Sequence, residues 1–152
     1  MKYLLAFGTY FLSMLAQASC PSVSNKVEQL ISEHVQAVQG GEYCKFRTTY
    51  KEENMELVLY TIEGPCYKTK APAGSCGNHY FRSMVGIING KQYPPTVVGG
   101  KGVFQSKNIS HSEGLITITG LSYQKSDPAC CPSLDDQRMY KISELEFEQV
   151  KP

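Results

Sequence analysis

Six cysteines constrain this 152-residue chain more than any other feature, because every pair that bonds fixes two points of the backbone. An even number of cysteines is typical of disulfides in a small exported protein. Adjacent residues on an extended strand point to opposite faces, so a cysteine doublet is expected to fasten two separate parts of the fold. The six are Cys20, Cys44, Cys66, Cys76, Cys130 and Cys131.

The first residues have the order of a secretory signal, with Lys2, an apolar run over residues 3–15, and the small-residue pattern Ala16-Gln17-Ala18. The apolar run is too short to span a bilayer. We therefore expect residues 1–18 to be a signal peptide and residues 19–152 to form a single exported domain, periplasmic or secreted, without an integral membrane span. The alternative is a lipid anchor on Cys20, although Gln17 stands where bacterial lipoprotein signals usually carry an aliphatic residue.

Charge in this chain is balanced, with 15 Lys and Arg residues against 14 Asp and Glu residues. Removal of residues 1–18 would take Lys2 with it and leave a formally neutral domain. Nucleic acids and anionic membranes select clustered Lys and Arg, and the sequence has no such cluster. We therefore expect no nucleic-acid partner.

Residues 22–39 carry the pattern of an amphipathic helix, in which Ser22 or Ser24 caps the start and Gly40-Gly41 supplies the end. His34 lies beside the apolar stripe, where a partly buried histidine at a helix edge is favoured over a ligand or catalytic role. The stripe follows three- and four-residue spacing through Val23, Val27, Leu30, Ile31, Val35 and Val38.

After Gly41 the sequence changes to short β-branched and aromatic segments separated by turn residues, which predicts an antiparallel meander. Asn89-Gly90 is a strong hairpin turn, and Pro94-Pro95 requires an edge position or a bulge. The fold class is therefore α+β, with an N-terminal helix packed on a curved, disulfide-stapled antiparallel sheet of about six to eight strands. The predicted strands cover residues 43–50, 55–62, 80–88, 92–98, 103–109, 114–123, 138–142 and 145–150.

The disulfide connectivity is open, since six cysteines allow fifteen pairings. A local bond between Cys66 and Cys76 would close the Gly- and Pro-rich loop over residues 64–78. The doublet at 130–131 would then reach Cys20 and Cys44, near the two ends of the helix. A vicinal bond within the doublet is the alternative, and it would suggest a redox or ligand-contact role.

No catalytic or metal-binding motif is complete in the sequence. Cys76, Asn78 and His79 resemble a thiol-protease set in kind, but they are too close in sequence to converge as a triad. The acidic stretch 51–56 lacks the alternating acids and central Gly of a calcium loop, and the histidines and cysteines lack zinc spacing. We expect no metal, no cofactor and no recognisable catalytic residue. An exported hydrolase that uses Cys76 and His79, or unrecognised carboxylates, is kept as an alternative.

Three segments of the sequence carry a family resemblance. They are MELVLYTIEG at 55–64, VVGGKG at 97–102 and DPACCPS at 127–133. Together they resemble the LppP/LprE-like group of small exported bacterial envelope proteins. The resemblance implies a bacterial envelope location and brings no established activity or catalytic residues.

A rigid, β-rich, stapled domain with exposed loops predicts a non-enzymatic binding protein of the envelope, because a rigid scaffold lowers the ordering cost of binding. An inhibitor or immunity protein that blocks a hydrolase or toxin is one form of this hypothesis, and a structural envelope protein is a further alternative. The sequence leaves the partner and the oligomeric state open. The candidate contact loops 67–79, 93–101 and 133–136 are represented by Tyr67, His79, Tyr93, Lys101, Asp135 and Asp136.

Overall fold

The computed structural model describes residues 20–64, 79–128 and 130–150. The predicted signal peptide, and the predicted loop that contains Tyr67, Cys66 and Cys76, lie outside these ranges. Within them, helix α1 covers Asn25–Ala37 and a short 3-10 helix covers Cys44–Phe46. The strands are β1 Gly41–Glu42, β2 Thr48–Glu52, β3 Met55–Glu63, β4 Tyr80–Ile88, β5 Lys91–Gly100, β6 Phe104–Ser112, β7 Leu115–Ser122, β8 Leu134–Ile142 and β9 Phe147–Val150.

All nine described strands belong to one antiparallel sheet, in the order β1-β3-β4-β5-β6-β7-β8-β9, with β2 also paired to β3. Strands β1 and β2 share one edge of β3, and β4 occupies the other edge. From β3 onward each strand pairs with the next along the chain. The predicted antiparallel sheet and N-terminal helix are therefore confirmed, and the sheet has nine strands rather than six to eight.

The sheet folds over on itself where β5 passes into β6. These two strands pair only at Gly100 and Phe104, and a Cβ atom at Gly99 would overlap the Phe104 carbonyl oxygen. Further along β6, the Thr48 hydroxyl of β2 donates to the Lys107 carbonyl oxygen at 3.1 Å. The two halves of the sheet thus enclose the main core, which includes Leu57, Leu59, Met84, Phe104, Ile116, Ile118, Tyr140 and Phe147.

Helix α1 packs on the opposite face of the sheet, over β3 and β4. Its buried stripe, Val27 and Ile31, contacts Val58, Tyr60 and other apolar residues of these strands. The helix begins later than predicted, with Ser24 as the cap, and the Ser24 hydroxyl accepts from the Val27 N–H at 3.4 Å. Strand β3 is therefore buried on both faces, which explains its nearly continuous apolar sequence.

The helix ends at Ala37 in a way that differs from the predicted glycine stop. Gln39, not a glycine, takes the left-handed backbone conformation, with φ of 53°. The Gly40 N–H donates to the Val35 carbonyl oxygen at 3.0 Å, and a Cβ atom at Gly40 would overlap the Ile62 side chain. Glycine is needed there because β3 approaches closely.

The hairpin turns follow the sequence closely. Asn89 and Gly90 have φ of 51° and 78°, which confirms the predicted turn, and Glu113-Gly114 forms a matching turn with φ of 52° and 77°. The pairing of β4 with β5 shifts between Met84 and Gly86, so the predicted bulge at Pro94-Pro95 is confirmed.

Two disulfides lie within the described residues. Cys20 is bonded to Cys44, and Cys130 is bonded to Cys131. The predicted link from the doublet to the ends of the helix is therefore wrong, and the alternative of a vicinal bond is confirmed, whereas the predicted bond between Cys66 and Cys76 falls outside the described residues. The doublet lies in a turn, where the Cys131 N–H donates to the Pro128 carbonyl oxygen at 3.0 Å, and both cysteines are exposed. Because this segment is not an extended strand, its two side chains do not point to opposite faces.

Candidate functional site

The predicted contact residues lie in several separate parts of the structure. Tyr93 is only 6 % exposed and stacks on Phe147 with ring centroids 5.1 Å apart, so it belongs to the core rather than to a contact loop. Lys101 is half-buried in the turn before β6. Strand β5 includes the predicted strand 92–98 and most of the candidate contact loop 93–101, because the bulge keeps both prolines within the strand.

The remaining described candidates are exposed but not gathered into one site. His79 directly precedes β4, and its proposed partner Cys76 lies outside the described residues. Asp135 and Asp136 lie on β8, opposite β7, and the Asp136 carboxylate accepts from the Ser122 hydroxyl. The segment 134–136 is therefore strand rather than loop.

His34 has a structural environment. Its Nδ1 atom lies 2.6 Å from the hydroxyl oxygen of Tyr60, whose side chain is fully buried in β3. Burial lowers the pKa of the His34 imidazole. The histidine thus joins the helix to the sheet, as the interpretation of a partly buried residue at a helix edge predicted.

We expect the free energy of unfolding to decrease as the pH falls below about 6.5, the ordinary histidine pKa. The pKa of folded His34 is lowered, so the unfolded chain binds more protons and acidification favours it. Urea unfolding at several pH values between 5.5 and 7.5 measures the slope. The variant His34→Gln should reduce that slope, and an unchanged slope would assign it to other groups.

Arg47 forms the centre of a buried ion cluster at the N-terminal corner of the fold. Its guanidinium donates to the Glu28 carboxylate at 2.6 and 2.9 Å and to the Glu42 carboxylate at 2.6 and 2.7 Å. The Arg47 side chain is 3 % exposed, and its hydrogen bond holds the pKa of Glu28 below its usual value. The cluster ties α1 and β1 to the 3-10 helix, whose first residue, Cys44, carries the disulfide to Cys20.

A cavity of about 780 Å³ opens between β2 and β6 at one end of the fold. Its walls are formed by the 3-10 helix, by β2 and β6, and by the adjacent ends of β3 and β4. On the inner face of β3, the apolar side chains of Leu57 and Leu59 are followed by Thr61. On the neighbouring strand β4, Arg82 lies opposite Thr61, and the apolar Met84 follows it. The inner face of the sheet therefore changes from apolar to polar where it meets the cavity.

Arg82 is the main polar group of this cavity, and it is only 7 % exposed. Its Nη1 atom donates to the Phe46 carbonyl oxygen at 2.6 Å and to the Thr61 hydroxyl at 2.9 Å. Nε donates to the Ser106 hydroxyl at 3.2 Å, and Nη2 contacts the Thr48 hydroxyl at 3.4 Å. All four acceptors are neutral, and burial lowers the pKa of the guanidinium.

Arg82 was not predicted as a site residue, although the sequence carries a signal for it. In the predicted strand 80–88, residues 82, 84, 86 and 88 share one face, and Met84 and Ile88 of that face are apolar. A charged residue on the inward face of a buried strand indicates either an ion pair or a binding site. The Arg47 cluster had no comparable signal, because its partners come from separate elements.

Within the three described ranges, no group of three or more His, Cys, Asp or Glu side chains is arranged to hold a metal ion. Helix α1, of 13 residues, is too short and too polar to cross a membrane, and no other described helix is a candidate.

Comparisons with protein-family models, with curated proteins and with solved structures each found no match. The resemblance to LppP/LprE-like proteins stays a prediction, and function is argued from the site itself.

Proposed function

We propose that this protein is a non-enzymatic binding protein of the bacterial envelope, which holds a protein partner such as a hydrolase or toxin and inhibits it. The partner would bind at the cavity mouth, defined here as Tyr43, Lys45, Phe46 and Lys107. The observation that carries the proposal is Phe46, a large apolar side chain that is 63 % exposed beside the cavity.

Phe46 lies on a segment that is firmly held. The N–H of Phe46 donates to the Tyr43 carbonyl oxygen at 3.1 Å, and the two rings lie 5.7 Å apart. The neighbouring residues Cys44 and Arg47 carry the disulfide and the ion cluster. Aromatic side chains that are rigidly displayed beside a concave surface are typical centres of binding energy, because little freedom is lost when a partner covers them.

The charge of the cavity mouth favours an acidic partner surface. Lys45 and Lys107 are both exposed, on opposite walls of the cavity. Cations at the edge of an interface speed association with an oppositely charged partner and select against basic surfaces. A neutral domain with a local cationic edge therefore fits recognition of an acidic protein.

We expect Phe46→Ser to weaken the complex with the partner by about tenfold or more, as loss of a central aromatic contact does. The matched control is Leu145→Ser, because Leu145 is 73 % exposed in the turn between β8 and β9, and neither change should alter folding. The complex is isolated from the envelope fraction of the source bacterium, and its stoichiometry is measured by native mass spectrometry.

Equal recovery of the complex with both variants would contradict the proposed binding surface. An intrinsic hydrolase activity that is lost in a folded His79→Ala variant would instead favour the enzymatic alternative.

A further inference from the structure

We infer that the Arg82 cavity receives a carboxylate attached to an apolar group, supplied by the protein partner. This inference rests on the proposed function and deepens it, because it names the chemical group that the partner inserts. The two buried arginines of the described chain differ in a way that supports this assignment.

Arg47 and Arg82 are equally buried, at 8 % and 7 % exposed, but they differ in how their charges are balanced. Arg47 is paired with two carboxylates, Glu28 and Glu42. Among the described residues, no carboxylate forms an ion pair with Arg82. A buried charge without a counter-ion is costly, and proteins keep such charges mainly where they are used. Arg82 therefore has the environment of a binding group.

The hydrogen bonds of Arg82 fix its position and leave donor capacity at Nη2. A guanidinium has five N–H donors, and the described contacts of Arg82 comprise four acceptors. The Nη2 contact to Thr48 is the longest of these, at 3.4 Å, whereas Nη1 has two short bonds. A carboxylate oxygen that accepts from the remaining Nη2 N–H would supply both the missing charge and the missing acceptor.

The charged groups around the cavity favour an anion. Lys45 and Lys107 add positive charge at the mouth, and Arg47 lies in the wall with its charge balanced by its own carboxylates. Glu63 is the one acidic residue of the described lining, and it forms no ion pair with Arg82. Among the described lining residues, the positive charges of Lys45, Lys107 and Arg82 outnumber the negative charge of Glu63.

The aromatic walls suggest what the carboxylate is attached to. Tyr43, Phe46 and Tyr80 line the cavity above the polar floor made by Arg82 and its hydroxyl partners. A volume of about 780 Å³ has room for a group larger than a bare anion. A C-terminal aromatic residue would place its carboxylate on Arg82 and its ring against these side chains.

Isothermal titration of the mature protein with N-acetylphenylalanine tests the inference directly, with N-acetylphenylalaninamide as the uncharged control. We expect the acid to bind at least about tenfold more tightly than the amide, since the pair with Arg82 is lost in the amide. This comparison uses the wild-type protein and does not depend on any variant being folded. Equal binding of acid and amide, or no binding of the acid, would overturn the inference.

Variants then assign the effect to Arg82. Arg82→Met should abolish the preference for the acid, and Arg82→Lys should retain only part of it, because the lysine ammonium lacks the planar set of donors that positions Arg82 on its four acceptors. Lys125→Met removes an exposed charge from the turn after β7 and should leave the preference unchanged. Unfolding curves establish that each variant is folded. An acid preference that persists in folded Arg82→Met would overturn the assignment.

A ten-residue peptide that ends in free phenylalanine separates a protein source of the carboxylate from a small-molecule source. Tighter binding of the peptide than of N-acetylphenylalanine supports a partner's C-terminus. Tighter binding of N-acetylphenylalanine than of the peptide would overturn the inference that a protein partner supplies the carboxylate.

If the complex described above depends on Phe46 but no carboxylate binds, the inference fails while the proposed function stands. If carboxylates bind but the complex does not depend on Phe46, the proposed function fails.

Discussion

Replacing both Cys20 and Cys44 with serine is expected to lower the free energy of unfolding by about 3 kcal/mol, because the bond restricts a long segment of the unfolded chain. The two cysteines are 24 residues apart in sequence, and their Cα atoms are 5.2 Å apart in the fold. The bond joins the segment before α1 to the 3-10 helix, so its loss also frees the start of the described chain. Urea unfolding followed by circular dichroism measures the change.

The chain offers a matched control for this experiment. Cys130 and Cys131 are adjacent, so their bond closes no loop of appreciable length and restricts the unfolded chain very little. Replacement of both with serine should change the free energy of unfolding by less than about 0.5 kcal/mol, as for other exposed substitutions. Equal losses in the two double variants would show that the loop between Cys20 and Cys44 is not the source of the stability.

Arg47→Met is expected to lower the free energy of unfolding by about 3 kcal/mol, the lower end of the range for breaking a buried ion pair. The expected loss is at the low end because the Glu28 side chain is 54 % exposed and can be solvated again. The Glu42 side chain is only 15 % exposed and is left buried without its cation. Methionine preserves the aliphatic contacts, so the loss reports charge and hydrogen bonds. Chemical unfolding of the variant measures it.

Glu28→Gln provides the comparison for Arg47→Met. It leaves the bond between Arg47 and Glu42 in place and removes a half-exposed charge, so a loss of about 1 kcal/mol or less is expected. If Glu28→Gln loses as much stability as Arg47→Met, most of the cluster's contribution to the free energy of unfolding comes from the contact between Arg47 and Glu28 of the helix. The losses in the Arg47 and cysteine variants should not add, because both changes act on the 3-10 helix.

The sequence patterns predicted the fold best where apolar residues and turn signals agreed. Strand β4 has the predicted limits, because both of its faces are mostly apolar, with Arg82 as the inward-facing exception, and a strong turn follows it. Strand β8 begins at Leu134, four residues before the predicted start, since residues 134–137 are all exposed and show no alternation. The predicted strand 43–50 is a 3-10 helix in its first half, where a disulfide and an ion cluster outweigh β-propensity.

The candidate site was less predictable than the fold, for physical reasons. The cavity lies where β2 and β6, which are far apart in sequence, come together, and no local sequence pattern predicts that approach. Arg82 was visible as an inward-facing charge, but its lack of a carboxylate partner follows only from the three-dimensional arrangement. The Cys130–Cys131 bond could not be chosen over other pairings, because connectivity depends on the turn that places the two residues.

The two prolines of β5 also bear on how the protein behaves at high concentration. Apart from the pair of Gly100 with Phe104, no described strand pairs with the outer edge of β5, so residues 91–97 present an open strand edge. Exposed edges of this kind recruit strands from other molecules and start aggregation. Pro94 and Pro95 have no N–H to offer, and their bulge bends the strand. The residues that interrupt the strand pattern therefore also protect the folded protein against edge-to-edge association with its own copies.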